Sequence, residues 1–277
     1  MKRVLSIQDI SCVGKCSLTV ALPVISAAGL EAAILPTAIL SAHTAFKRFT
    51  SCDLAANIRP FAADWLAEGI TFDGIYTGYL GSSGQIEAAE WIFKQFDRPG
   101  LLRFVDPAMG DDGKLYTGFD RSFAGKMAKL CSMAEIIVPN LTEAAMMLGQ
   151  QWKPHGYNEP EIRDMLKRLC GLGCPVAVLT GVSFDREHQG AAFYDCRSGE
   201  YGVCFGESLP GSFPGTGDVF ASAVFSALMR GKALPDALRI AVNFTCESIK
   251  RSLNSPDRRW YGVDFEHAIP NFINALK

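Results

Sequence analysis

The chain has 277 residues, 48% of them hydrophobic, with 27 basic against 29 acidic side chains and a formal net charge of −2 at pH 7. That length and apolar content predict one domain over residues 1–277 with a sizeable core. The basic residues are scattered, which excludes an electrostatic footprint for nucleic acid or an anionic membrane and points to a small-molecule partner.

In chain order, Met1-Lys2-Arg3 precedes an apolar run far too short for a secretory signal, and Arg3–Ile7 reads as a first strand. Ser17–Ala28 reads as a helix and Ala32–Ile39 as a second strand; Pro23, Gly29, Glu31 and Pro36 break this most apolar region, so it is no membrane span. A cytoplasmic protein is expected. Asp53–Glu68 has a helical pattern with Asp53 as a first-turn acid. Phe72–Thr77 (strand), Ser83–Phe96 (helix) and Leu101–Val105 (strand, ending in Asp106-Pro107) follow, then a Gly- and Asp-rich loop. Next come Arg121–Cys131 (helix), Glu135–Val138 (strand), Thr142–Leu148 (short helix), Glu159–Cys170 (helix) and Val176–Leu179 (strand). Ala191–Tyr194 and Tyr201–Phe205 resemble an antiparallel hairpin around Ser198-Gly199, and Val219–Arg230, Pro235–Leu253 and Phe265–Ala275 close the chain as helices. Strands alternating with helices predict an α/β layer fold with a mainly parallel sheet. The nine cysteines are scattered, with no Cys-x-x-Cys; Cys12, Cys16, Cys170 and Cys174 are expected as buried free thiols.

In such folds ligands bind beyond the carboxyl ends of the strands. The residues there are Asp9; Ser41, His43 and Thr44; Gly78, Tyr79 and Gly81; Asp106; Asn140 and Glu143; and Thr180-Gly181. The run Gly215-Thr216-Gly217-Asp218 leads into the helical pattern from Val219. Its glycines let backbone N–H groups turn toward one point at a positive dipole end, which suits a phosphate. Asp218, beside that cradle, is placed to accept the proton of an attacking hydroxyl. Taken alone the same run is also a plain helix start, with Thr216 capping; Asp106 alone is also a turn residue before Pro107, Glu143 a first-turn acid, and Tyr79 and His43 packing residues.

Taken jointly, Ser6-Ile7-Gln8-Asp9 through Val13-Gly14, Ala42-His43-Thr44, Thr77-Gly78-Tyr79-Leu80-Gly81, Asp106-Pro107-Ala108-Met109-Gly110, Pro139-Asn140-Leu141-Thr142-Glu143 and Gly215-Thr216-Gly217-Asp218 resemble the pyridoxal kinases of the ribokinase superfamily in order and approximate spacing over about residues 3 to 250. The resemblance implies a three-layer α/β/α ribokinase-like fold and ATP- and Mg²⁺-dependent phosphorylation of the 5′-hydroxymethyl group of pyridoxal, pyridoxamine or pyridoxine. It implies Asp218 as base, the amides of Gly215, Thr216, Gly217 and Asp218 as anion hole, and Asp9, Thr44 and Tyr79 at the vitamin ring. It further implies Asp106, Asn140, Glu143 and Thr180 on the nucleotide side, Asp106 and Glu143 as metal organisers, and a homodimer.

Two positions depart from that pattern. Asp9 stands where many pyridoxal kinases have serine, and a carboxylate there could favour an amine-bearing or protonated ring, pointing to pyridoxamine. Thr180 stands where some relatives have lysine, removing one positive contact to the nucleotide phosphates. Two alternatives stay open: a hydroxymethylpyrimidine kinase, whose relatives commonly have cysteine at the position of Asp218, and a non-catalytic vitamer-binding protein that has kept the fold.

Overall fold

The computed structural model describes residues 1–277. Its strands are β1 (Arg3–Ser11), β2 (Glu31–Leu40), β3 (Ser51–Asp53), β4 (Gly74–Thr77), β5 (Leu102–Val105), β6 (Gly110–Asp111), β7 (Lys114–Leu115), β8 (Ile136–Ile137), β9 (Val176–Val182), β10 (His188–Asp195) and β11 (Glu200–Glu207). Nine of them form one sheet in the order β11-β10-β9-β8-β5-β4-β1-β2-β3. The strands from β2 to β9 in spatial order pair in parallel, while β3, β10 and β11 add antiparallel edges. The remaining two, β6 and β7, make a separate antiparallel hairpin.

The central strands read as continuous apolar runs because both faces are covered. Leu5, Ile7, Ile75, Val105 and Leu179 belong to one buried cluster; their alternating neighbours Val4, Tyr76, Phe104 and Val178 belong to a second. A period of two places the clusters on opposite faces of the sheet. The first packs under α2 (Ala55–Ala67), α3 (Ser83–Gln95), α4 (Arg121–Cys131), α5 (Leu141–Met147) and α6 (Glu159–Cys170). The second packs under α1 (Leu18–Ala27), α7 (Thr216–Met229), α8 (Leu234–Asn254) and α9 (Ile269–Ala275). The result is the expected three-layer α/β/α arrangement. No helix is long and apolar enough to cross a membrane.

Local chemistry explains where the helices begin. Ser82 caps α3, Asp120 caps α4 through the N–H groups of Ser122 and Phe123, and Asn140 and Asn158 each form a capping box with the glutamate three residues on.

The structure corrects several expectations. Asp53 is not in a helix: it ends β3 and accepts the N–H of Ala55 (2.9 Å) just ahead of α2. β1 runs on to Ser11, so Asp9 lies inside the strand, where the register with β2 shifts between Gln8 and Ile10. Such a bulge re-aims a side chain, which is what a strand residue needs to reach a crevice. The Phe265–Ala275 helix divides into a 3₁₀ turn (Glu266–Ala268) and α9. Cys16, Cys170 and Cys174 are buried, whereas Cys12 is exposed.

Candidate active site

Because β1, β2, β4, β5, β8 and β9 run in parallel, their carboxyl ends share one edge of the sheet. β11 returns antiparallel to β10, which is itself antiparallel to β9, so β11 also ends on that edge and delivers the start of α7 there. The residues collected are Asp9, Asp106, Asn140, Glu143, Thr180 and the Gly215–Asp218 run.

Gly215 is the N-cap of α7, with φ 79° and ψ 0°. A Cβ at that position would collide with the Lys15 carbonyl oxygen, so both the dihedral and the close approach require glycine. Thr216 does not cap the helix: it occupies the first helical position, and its hydroxyl donates to the Phe213 carbonyl (3.1 Å). With Val219 N–H bonded to the Gly215 carbonyl, the N–H groups of Thr216, Gly217 and Asp218 have no partner in the protein. Three donors at the positive end of a 14-residue helix thus face the crevice unsatisfied.

Asp218 sits in that first turn, and burial pushes its pKa up to about 7, with the Asp9 charge adding to the rise and the Ser17 N–H opposing it. Asp9 is 5% exposed; burial raises its pKa, against the Ser17 and Ser11 hydroxyls, of which Ser11 Oγ donates to Asp9 Oδ2 at 3.3 Å. Asp106 directly follows β5. Burial, then Glu143, then Asp218 raise its pKa well above the carboxylate range, and its carboxylate has no hydrogen-bond or ion-pair partner. Glu143 is raised too, by burial, although its Oε1 accepts the Met109 N–H (3.1 Å) and its Oε2 the Asn140 N–H (2.8 Å). Asn140 in turn holds the β6–β7 hairpin by donating from Nδ2 to the Gly110 carbonyl (2.9 Å). β9 runs on past the expected end at Leu179 to Val182, so Thr180 lies inside the strand; it bridges to Asn140 and donates its N–H to the Pro139 carbonyl (2.9 Å). No group of three His, Cys, Asp or Glu side chains is arranged to hold a metal ion unaided.

Tyr79 follows β4, with the Phe119 ring stacked at 5.7 Å and Tyr116 at 6.4 Å, so one face of Tyr79 is already covered. Thr44 is exposed in the 41–50 loop rather than enclosed. The His43 ring accepts the Ala45 N–H (3.2 Å), burial lowers its pKa, and the His43 backbone N–H donates to the Val13 carbonyl (2.8 Å), so this residue organises the loop. Sequence reasoning missed Ser11, Ser17 and the aromatic partners of Tyr79. The glycine and serine spacing around residues 11–17 was the only sequence signal for the first two.

A sequence model of the phosphomethylpyrimidine kinase family matches residues 22–260. The chain belongs to this family. Within it, the kinase is 26% identical over 255 residues to the pyridoxine/pyridoxal/pyridoxamine kinase of Bordetella pertussis, covering 90% of this chain and 89% of that protein. The crystal structure of pyridoxal kinase from Lactobacillus plantarum superposes with a TM-score of 0.90 at 30% identity, covering 99% of this chain and 97% of that one. A Bacteroides thetaiotaomicron protein, provisionally described as a phosphomethylpyrimidine kinase and crystallised with pyridoxal, gives 0.93 at 34%, covering 98% and 95%. The kinase therefore shares its ribokinase-like fold and its family with the pyridoxal kinases, as its motifs indicated.

Proposed function

We propose that this kinase transfers the γ-phosphoryl group of ATP to the 5′-hydroxymethyl group of vitamin B6 vitamers, with Asp218 as general base and residues 1–277 acting as one kinase domain. The observation that carries the reading is the pairing of a carboxylate poised near neutrality with three unpartnered N–H donors on the same helix turn. Asp218 accepts the hydroxyl proton as the oxygen attacks phosphorus, and the amides of Thr216, Gly217 and Asp218 hold the charge of the transferring group. Preorganised donors of this kind contribute about 3 kcal/mol each.

Magnesium ion fits Asp106 and Glu143, two buried carboxylates with no cationic partner. When bound, Mg²⁺ neutralises phosphate charge. Asp106, whose oxygens have no partner, would hold it; Glu143, already committed to two backbone N–H groups, would act through water, since Mg²⁺ tends to keep several waters. Asn140 and Thr180 line the nucleotide side.

At the vitamin ring, Tyr79 offers its free face for stacking, worth roughly 1 kcal/mol beyond area burial. Asp9 favours a vitamer carrying an amine or a protonated ring, so pyridoxamine is the preferred substrate; the Thr44 hydroxyl, exposed on the 41–50 loop, hydrogen-bonds the ring nitrogen or phenolic oxygen. A homodimer and a cytoplasmic location complete the proposal on family grounds, and sedimentation of the purified protein tests the first.

The deciding assay is ADP release with ATP and Mg²⁺, offering pyridoxal, pyridoxamine, pyridoxine and hydroxymethylpyrimidine side by side. Turnover led by pyridoxamine is expected. Turnover with the pyrimidine alone would assign the kinase to thiamine precursors, and saturable vitamer binding without ADP release would make it a binding protein.

A further inference from the structure

One stretch near the C-terminus touches each of the loops that surround the start of α7. Arg258 lies over the Phe213 ring (4.7 Å), two residues ahead of Gly215. Trp260 and Tyr261 pack on Phe46 of the 41–50 loop at 4.6 and 5.3 Å. Asp264 and Glu266 both bind Lys15, whose Nζ lies 2.9 Å from Asp264 Oδ1 and 2.9 Å from Glu266 Oε2. The stretch is itself anchored: Val263 and Phe265 are buried, and the Asp264 N–H donates to Ser252 Oγ of α8 (2.7 Å).

Lys15 is where these contacts converge on the chemistry. Its side chain fills the space that a Cβ at Gly262 would need, and its carbonyl oxygen fills the space that a Cβ at Gly215 would need. The Lys15 ammonium is thus held by the C-terminal stretch while the Lys15 backbone abuts the N-cap of α7. Two residues on, Ser17 has φ 50° and ψ −133°, a conformation that a non-glycine residue keeps only where its surroundings over-determine it. Ser17 stands between Asp9 and Asp218.

We propose that Lys15, ion-paired to Asp264 and Glu266, is a positioning residue for phosphoryl transfer: residues 258–266 act through it as a clasp that fixes the 12–17 loop against Gly215 and so sets the anion hole and the separation of Asp9 from Asp218. The proposal rests on the kinase reading above, but its geometry is open to a measurement that needs no turnover. The Lys15 ammonium is committed to the two carboxylates, so it acts through the loop backbone.

The test compares Lys15→Met with Lys15→Arg in two assays. In steady-state ADP release, Lys15→Met is expected to lower kcat at least tenfold while the vitamer KM stays within twofold, and Lys15→Arg to recover most of the loss. In hydrogen exchange of the nucleotide-free protein, Lys15→Met is expected to speed exchange at the hydrogen-bonded amides of Cys12, His43 and Val219 together, with the α3 and α6 amides unchanged. A kcat within twofold of the parent, a loss confined to KM, or unchanged exchange at Val219 would overturn the proposal. Should Lys15→Met not fold, Glu266→Gln and Asp264→Asn remove the carboxylates one at a time. Each is expected to lower kcat about threefold and to speed the same amides; no change in either overturns it. A parent protein inert with every vitamer refutes the kinase reading, and the exchange data still decide the clasp.

Discussion

Replacing Asp218 by asparagine separates catalysis from stability, because the group proposed as the base is also a source of instability in the folded protein. Its pKa rises from an ordinary 3.8 to about 7, chiefly through burial. That rise corresponds to about 4 kcal/mol, or about 2–4 kcal/mol after discounting for the solvent that still reaches this half-buried side chain. The folded pKa lies above the unfolded one, so the folded state binds the proton more tightly. The resulting stability is fully present below about pH 4 and is lost as pH rises through about 7. An asparagine at this position does not titrate and carries no such loss. At pH 8 the Asp218→Asn protein should melt roughly 3–7 °C above the parent, using about 2 cal/mol/K of unfolding entropy per residue over 277 residues. The two should converge toward pH 4. The same change removes the base, so kcat should fall about 10²–10⁴-fold with vitamer affinity nearly unchanged, and the parent's rate should rise with pH to a plateau above about 7. Coupled ADP release and thermal melts without ligand at pH 5 and 8 read both effects. A variant within tenfold of parental kcat, or one melting below the parent at pH 8, would refute the reasoning.

Three further outcomes follow from the site. Gly215→Ala places a methyl on the Lys15 carbonyl at φ 79°, so it should lower the melting temperature and cut kcat at least a hundredfold, whereas Gly217→Ala meets open space and should leave the melting temperature unchanged or raise it through helix propensity. Asp9→Ser should shift the ratio of kcat/KM for pyridoxamine over pyridoxal about tenfold toward pyridoxal, and should move the acid limb of the rate profile to lower pH because the Asp9 charge helps to raise Asp218. Asp106→Asn should weaken the apparent Mg²⁺ requirement curve at least tenfold while the vitamer KM holds, as read by Mg²⁺ titration of ADP release; an unchanged curve would remove Asp106 as the metal-holding group.

What could be read from the sequence was whatever a parallel sheet makes local. Strand ends of one direction share an edge, so Asp106, Asn140, Glu143 and the Gly215–Asp218 run could be gathered into one crevice from their position after a strand or before a helix. The capping box of Asn140 and Glu143 is a three-residue signature and needs no tertiary knowledge. Asp9 was misplaced beyond its strand because the polar Gln8, Asp9 and Ser11 end the apolar run at Ile7 although the backbone pairing continues past the bulge, and Asp53 because an acid at the end of a short edge strand looks the same as one at a helix start. The β6–β7 hairpin has two residues per strand, below any periodicity. The bond between Lys15 and Asp264 spans 249 positions, and nothing in either neighbourhood announces the other. Thr44 lies exposed in a loop whose place is set by what it packs against, here Phe46 on Trp260, a contact no local pattern shows.

The crevice and the loops around it gather the places where the protein is locally unfavourable. Ser17 holds a positive φ that costs about 1–3 kcal/mol, Gly215 tolerates only the smallest side chain, and Asp9, Asp106, Glu143 and Asp218 share a crevice in which burial disfavours every charge. None of this would persist on a loop free to relax. It persists because the strands below are packed on both faces by continuous apolar clusters, and because Lys15, the one basic side chain gripping the 12–17 loop, spends its charge on Asp264 and Glu266 rather than on the crevice. A lysine turned instead toward Asp218 would pull the base's pKa back down and fill the space before the three free N–H groups. Keeping that cation outside leaves the crevice electrostatically unfinished, which is the condition under which an incoming phosphate and its counterion gain most from entering it.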